Sequence, residues 1–201
     1  MNRIYWLIGI LVMLTLSGCS SKSSQSIDIY TLKYSELLNK NRTTIDKTLK
    51  ISLPKSTKEI RKNKILYAKT PHQREAYAYS RWSDTPNRMV EQFLVTFLNQ
   101  NELFKVVIPA NSEANSEWIL ESSIEDFYHS FNKENQSFGV VKIRFFLINQ
   151  KDKKVISKRF FSTNVPASSL NAEGGVKALN EALLQIGEEL IIWLDQHSKK
   201  I

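Results

Sequence analysis

The chain has 201 residues, 42% of them hydrophobic and 24% charged, with one cysteine and three histidines. That length suits a single globular domain, which buries roughly 70% of its unfolded surface and needs neither disulfide nor metal to fold. An aromatic content of 10% and a mean hydropathy of -0.31 exclude a disordered chain, a collagen-like one and a polytopic membrane protein, while a net charge of +8 suggests an anionic partner without saying which.

The N-terminus reads as a secretory signal. Arg3 supplies a positive start, Ile4 to Leu14 is apolar apart from Gly9, and small residues precede Cys19. The apolar stretch from Ile4 to Leu16, at about 1.5 Å per residue, covers roughly 20 Å, too little for a bilayer core of about 30 Å. Leu16, Ser17, Gly18 and Cys19 resemble a bacterial lipobox, in which the cysteine thiol takes a diacylglyceryl group and becomes an N-acylated N-terminus. Small residues at 17 and 18 let a peptidase approach the backbone, and Cys19 is the chain's only thiol. The expected organisation is a signal peptide over 1–18, a lipidated cysteine with a flexible tether over 19–26, and one domain over 27–201. Two or three acyl chains hold a protein on a membrane stably, where one does not. Ser20 after the cysteine resembles the pattern of lipoproteins sent to the outer membrane. The apolar-free segment from Ser20 to Ser26 reaches only about 15 Å as a coil, which keeps the domain near the membrane.

Beyond the tether the pattern predicts an α+β fold. Asp28 to Lys33 alternates like a strand; Thr48 to Leu53 does too and stops at Pro54; Lys64 to Lys69 is a third short candidate. Thr85 and Pro86 open a helix as N-cap and first helical residue, and Met89, Val90, Phe93, Leu94, Phe97 and Leu98 form its apolar stripe. Phe104 to Ile108 reads as a strand. Trp118 to Tyr128, Phe138 to Ile148 and Val155 to Thr163 read as a meander with polar turns between them. In the middle strand Val141, Ile143, Phe145 and Leu147 share the buried face. Val176, Leu179, Leu183, Ile186, Leu190 and Leu194 mark a long C-terminal helix that starts near Gly174 and Gly175 and has Lys199 and Lys200 at its negative end. The expected assembly is a single domain: a mixed, mostly antiparallel sheet with two main helices on one face.

Evidence for catalysis is thin. His72, His129 and His197 have no metal-ligand spacing and read as surface residues, no phosphate-binding glycine loop is present, and Glu125-Asp126 and Glu188-Glu189 look like strand-edge and helix-surface charges. The expectation is therefore a non-enzyme with no metal and no cofactor beyond the lipid on Cys19. Lys55, Lys58, Arg61 and Lys62 belong to a basic run from Lys47 to Lys64, which is either a solvated loop or a surface drawn to acidic lipid. Among the aromatics, Trp82 is expected beneath the first helix, and Phe131 and Phe138 are the better candidates for an exposed apolar patch. Export leaves nucleic acid out as a partner.

The order of short motifs carries a resemblance. Tyr30-Thr-Leu32, Ile51-Ser-Leu-Pro54, Ile65-Leu-Tyr67 and Tyr79-Ser-Arg-Trp-Ser-Asp-Thr-Pro86 together resemble the ABC-type transport auxiliary lipoproteins, which accompany MCE-type and Pqi-type phospholipid transport systems. The resemblance implies a periplasmic domain tied to the outer membrane. It would work with an ABC permease, its ATPase and an MCE-domain protein, as a homo-oligomer by analogy, to move phospholipid without hydrolysing it. By position, Tyr30, Leu32, Pro54, Tyr79, Arg81 and Trp82 carry the family motifs, as structural or interface residues. The other reading is a structural assembly lipoprotein, such as a pilotin or a helper for lipopolysaccharide insertion.

Overall fold

The computed structural model describes residues 25–33 and 43–198. The signal segment, Cys19, most of the tether, and Lys199 and Lys200 lie outside the described residues. Nine strands are described: β1 (Asp28–Tyr30), β2 (Ile45–Ile51), β3 (Lys55–Ser56), β4 (Lys64–Ala68), β5 (Glu75–Trp82), β6 (Phe104–Ile108), β7 (Trp118–Phe131), β8 (Ser137–Asn149) and β9 (Val155–Pro166). Helix α1 (Pro86–Gln100) falls between β5 and β6, and α2 (Ala172–Ser198) closes the chain.

All the strands belong to one mixed sheet built around β7. One edge of β7 is filled along its whole length by β8, antiparallel, from Trp118↔Asn149 to Phe131↔Ser137, and β9 continues on the far side of β8. The other edge is shared by three short strands parallel to β7: β2 against 118–120, β3 against 123–124 and β4 against 129–130. From β2 the sheet extends to β6, and from β4 to β5 and then β1, which is parallel to β5. The long ladders are thus the antiparallel meander expected from the sequence, and the parallel pairs are short.

Alternation along β7 and β8 sends Trp118, Leu120, Ile124 and Phe127, with Val141, Ile143, Phe145 and Leu147, into the core. A register shift between Ile124 and Asp126 places both Glu125 and Asp126 on the outer face, where Arg144 and Lys142 cross from β8 to meet them at 2.8 Å. These carboxylates therefore sit on the central strand, away from the sheet edge that the sequence suggests. The bulge moves them inward along the ladder without burying their charge.

Both helices cover the inner face, as expected. The α1 stripe is fully buried, with Phe93 and Phe97 stacked at 5.1 Å. Thr85 takes the extended conformation of an N-cap but makes no side-chain capping bond; Asp84 instead accepts the Thr85 N–H at 2.6 Å. In α2 the predicted stripe from Val176 to Leu194 is buried. The helix starts just before the glycine pair, and Asn171 Oδ1 caps the Gly174 N–H at 3.0 Å. Strand β5 went unpredicted in the sequence because its exposed and buried residues do not alternate cleanly; three consecutive half-buried residues open it.

Helix α2 lies so close to β8 that only a residue without a side chain fits at 139: a Cβ there would stand 2.4 Å from the Ala178 carbonyl carbon. Because the obstacle is helix backbone, which cannot rotate away, Gly139→Ala is expected to cost about 3 kcal/mol, the upper end of the overpacking range. Urea denaturation would read this as a lower midpoint with an unchanged slope.

Candidate interaction surface

The motif residues divide between the core and the surface. Trp82 is 1% exposed, with its ring 5.7 Å from Phe127, and its N–H donates to the Asn63 carbonyl at 2.8 Å. Leu32 is also buried. Tyr30 is half-buried; its carbonyl accepts the Ser83 N–H at 2.7 Å, while the Lys33 N–H donates to Asn180 Oδ1 on α2 at 2.8 Å. Burial, and after it the charge of Asp28, raises the Tyr30 hydroxyl pKa above its ordinary value. Pro54 is buried and its carbonyl accepts from the Asn87 amide in the first turn of α1, while Ser56 Oγ lies 3.0 Å from Asn87 Oδ1. These four residues therefore hold β1, the loop after β2, and the end of β5 against the two helices. Tyr79, 51% exposed, and Arg81 remain on the surface.

The basic residues Lys55, Lys58, Arg61 and Lys62 are all exposed, on β3 and the tight turn after it, where Thr57 accepts the Arg61 N–H at 3.2 Å. The structure brings two of them together. Lys55 and Arg61 line an open groove of about 440 Å³ with Leu53, Thr85 and Arg88. Through Leu53 and Arg88 it continues into a second groove, of about 500 Å³, between α1 and the segment after β6. There Val95 and Pro109 supply apolar wall, and Glu91 fastens the far side by accepting the Ala110 N–H at 2.8 Å. Lys58 and Lys62 do not line this trough.

The trough carries three cations, Lys55, Arg61 and Arg88, and two carboxylates, Asp84 and Glu91, beside apolar wall, with Leu53 48% exposed. Its charges are loosely engaged: Lys55 meets Glu121 only at 3.9 Å, and Arg88 pairs with Asp84 at 3.2 Å with 70% of its side chain still exposed. Such exposed pairs contribute little and can be exchanged for a partner's carboxylate or phosphate. Arg61 has no acidic partner among the described residues. Sequence reasoning missed Leu53 and Arg88. Only the spacing of Asp84 and Arg88, one turn apart at the start of a helix, signals the second of them.

Elsewhere the sequence expectation for the histidines needs one correction. His72 is exposed and His197 half-buried, its Nδ1 2.8 Å from the Trp193 carbonyl, but His129 is completely buried. It points inward from β7, in register with Phe127, with Tyr77 Oη 2.8 Å from its Nδ1 and Phe131 at 4.5 Å between ring centroids. Its tight seat explains Gly175, where a Cβ would lie 2.5 Å from His129 Nδ1. Phe131 is accordingly half-buried in a cluster with Tyr67 and His129, and Phe138 is half-buried as well; neither forms the exposed patch expected. Burial depresses the His129 pKa to about 4 and, with Tyr67 nearby, pushes Tyr77 up to about 12. No group of three or more His, Cys, Asp or Glu side chains among the described residues is placed to hold a metal ion.

The fold is an open mixed sheet with two helices on one face and a trough at the start of α1. The chain belongs to the family of ABC-type transport auxiliary lipoprotein components, whose model matches residues 30–190. Its fold is that of protein XCC0632 from Xanthomonas campestris, of the DUF330 family model, at a TM-score of 0.79 and 19% identity over 86% of this chain and 97% of that one. A second crystal structure, of an uncharacterized protein, matches at a TM-score of 0.66 and 15% identity, covering 84% of this chain and 99% of that one. Among curated proteins none matches the sequence.

The buried histidine makes stability depend on pH. The unfolded imidazole takes up a proton near its ordinary 6.5, the folded one only near about 4, so the stability present above 6.5 is lost progressively as pH falls towards about 4. The loss from this group is on the order of 3 kcal/mol. Urea denaturation of the parent and His129→Gln chains across that window should show a shallower pH slope in the variant; equal slopes would place the titration on other groups.

Proposed function

We propose that this chain is acylated at Cys19, held on the periplasmic face of the outer membrane, and serves as a non-catalytic subunit of an MCE-type phospholipid transport system. Membership of the auxiliary lipoprotein family across residues 30–190 carries this reading. The lipobox of Leu16, Ser17, Gly18 and Cys19, with Ser20 after it, supports the anchor and its membrane. The partners are the ABC permease and ATPase of the system and its MCE-domain protein. The trough at the start of α1 suits an extended acidic and apolar segment of one of them, with Lys55, Arg61 and Arg88 meeting its charges and Leu53 and Val95 its side chains.

Affinity purification of the lipoprotein from mildly solubilised envelope should recover the MCE-domain protein. Reversing Lys55, Arg61 and Arg88 to Glu should lower that recovery about tenfold or more at low salt, since desolvated charge pairs each contribute more than about 1.4 kcal/mol. Recovery of a secretin or a lipopolysaccharide-insertion pore instead, with phospholipid asymmetry intact on deletion, would favour the assembly-lipoprotein reading. Cys19→Ser should release the protein from the membrane fraction; continued membrane retention would count against the anchor.

A further inference from the structure

A second surface lies at the β1 edge of the sheet. Ile29 pairs with Arg81, and Arg81 with Lys64, so these three side chains form one row across β1, β5 and β4. The adjacent row, Tyr30 beside Trp82, faces the core, and the Ile29 row therefore faces out. Ile27 directly precedes β1 and Tyr79 stands two residues before Arg81, and both side chains are exposed. Ile27 is 47% exposed, Ile29 61% and Tyr79 51%. Arg81 and Lys64 are exposed with no acidic partner among the described residues. The turn before β4 is fastened to β5 by the bond from the Trp82 backbone N–H to the Asn63 carbonyl.

We infer that this face, Ile27, Ile29 and Tyr79 with Arg81 and Lys64, rests in the headgroup region of the anionic bilayer to which the chain is anchored. The inference relies on the acylation of Cys19 proposed above. Chain length selects the surface: Ile27 follows Cys19 by eight positions, a root-mean-square reach of about 16 Å as a coil and under about 30 Å fully extended. The exposed apolar residues of the opposite edge, Val155 and Phe160 on β9, lie five strand spacings from β1, about 24 Å farther across the sheet. Chemistry selects the occupant. Two isoleucines and a tyrosine flanked by cations match the layered polarity of an interface with acidic headgroups, which an apolar protein groove does not offer.

The test uses full-length protein purified from membranes and reconstituted in vesicles of phosphatidylethanolamine and phosphatidylglycerol. An acylated Cys19 leaves an introduced cysteine as the single thiol, so Ile29→Cys and Val155→Cys can each carry one environment-sensitive fluorophore. Quenching by shallow spin-labelled lipid should be about threefold or more stronger at position 29, since interfacial side chains sit about 5–10 Å into the headgroup boundary. It should fall towards the position-155 level when Arg81 and Lys64 are both changed to Glu. Equal quenching at the two positions with an acylated Cys19 overturns the contact alone. Quenching at 29 that survives the double charge reversal overturns the role of the cations. An intact mass showing a free thiol at Cys19 removes the anchor and overturns the contact with it.

Discussion

Strand β7 constrains everything else in this domain. Its backbone groups on one side are satisfied continuously by β8, and those on the other side are divided among β2, β3 and β4, each parallel to it. A parallel neighbour cannot arrive by a tight hairpin, so the chain must leave the sheet and return between these strands. One of the excursions, between β5 and β6, is helix α1; the basic turn between β3 and β4 instead carries the chain farther along the same edge of β7. The trough and its cations are therefore by-products of how β7 recruits its second edge. The buried faces of β7 and β8 pay for this arrangement, with Leu120, Ile143, Phe145 and Leu147 wholly excluded from water.

Helix α2 fixes the sheet against deformation from the other side. It contacts β8 through Gly139 and seats on His129 through Gly175, two places where its backbone approaches closer than any side chain permits. At Asn180 it also takes the backbone of the segment leaving β1. Thus β1, three residues at an edge of the sheet, is held by β5 on one side and tied to the longest helix just beyond its end. Under the proposed acylation of Cys19, whatever pulls on the N-terminus pulls on β1 first.

Elements with a strong internal period were legible in the sequence, and elements defined by their neighbours were not. The stripes of α1 and α2 and the alternation of β8 need no partner to be recognised, because one face of each is apolar at its own spacing. Strand β3 has two residues and exists only as a bridge to Ser123 and Ile124, and β5 carries a register shift against β4 that disrupts its alternation. His129 illustrates the same limit at the level of a side chain. A lone histidine between a tyrosine and a serine reads as polar surface, yet its position two residues after Phe127 puts it on the inner face of β7 once the bulge at Glu125 is passed. Of the candidate site, the basic residues were visible and their grouping was not: Lys55 and Arg61 meet Arg88 only because Pro54 and Ser56 are fastened to Asn87.

Anchor, edge and trough form one argument about orientation. With Cys19 acylated as proposed, the anchor fixes where the domain is without fixing which way it faces, and a domain facing at random presents its trough to a partner only part of the time. A weak second contact corrects this, because the tether holds the β1 edge at a high effective concentration beside the bilayer, and a contact too feeble to bind a free protein suffices to orient a tethered one. Ile29 on β1 and Ile27 just before it are well placed for that purpose because they lie close in sequence to Cys19, so ordering them confines few additional residues. The outward row of β1, β5 and β4 then turns the opposite, helix-covered face of the sheet away from the membrane, which leaves that face open to the partners proposed above.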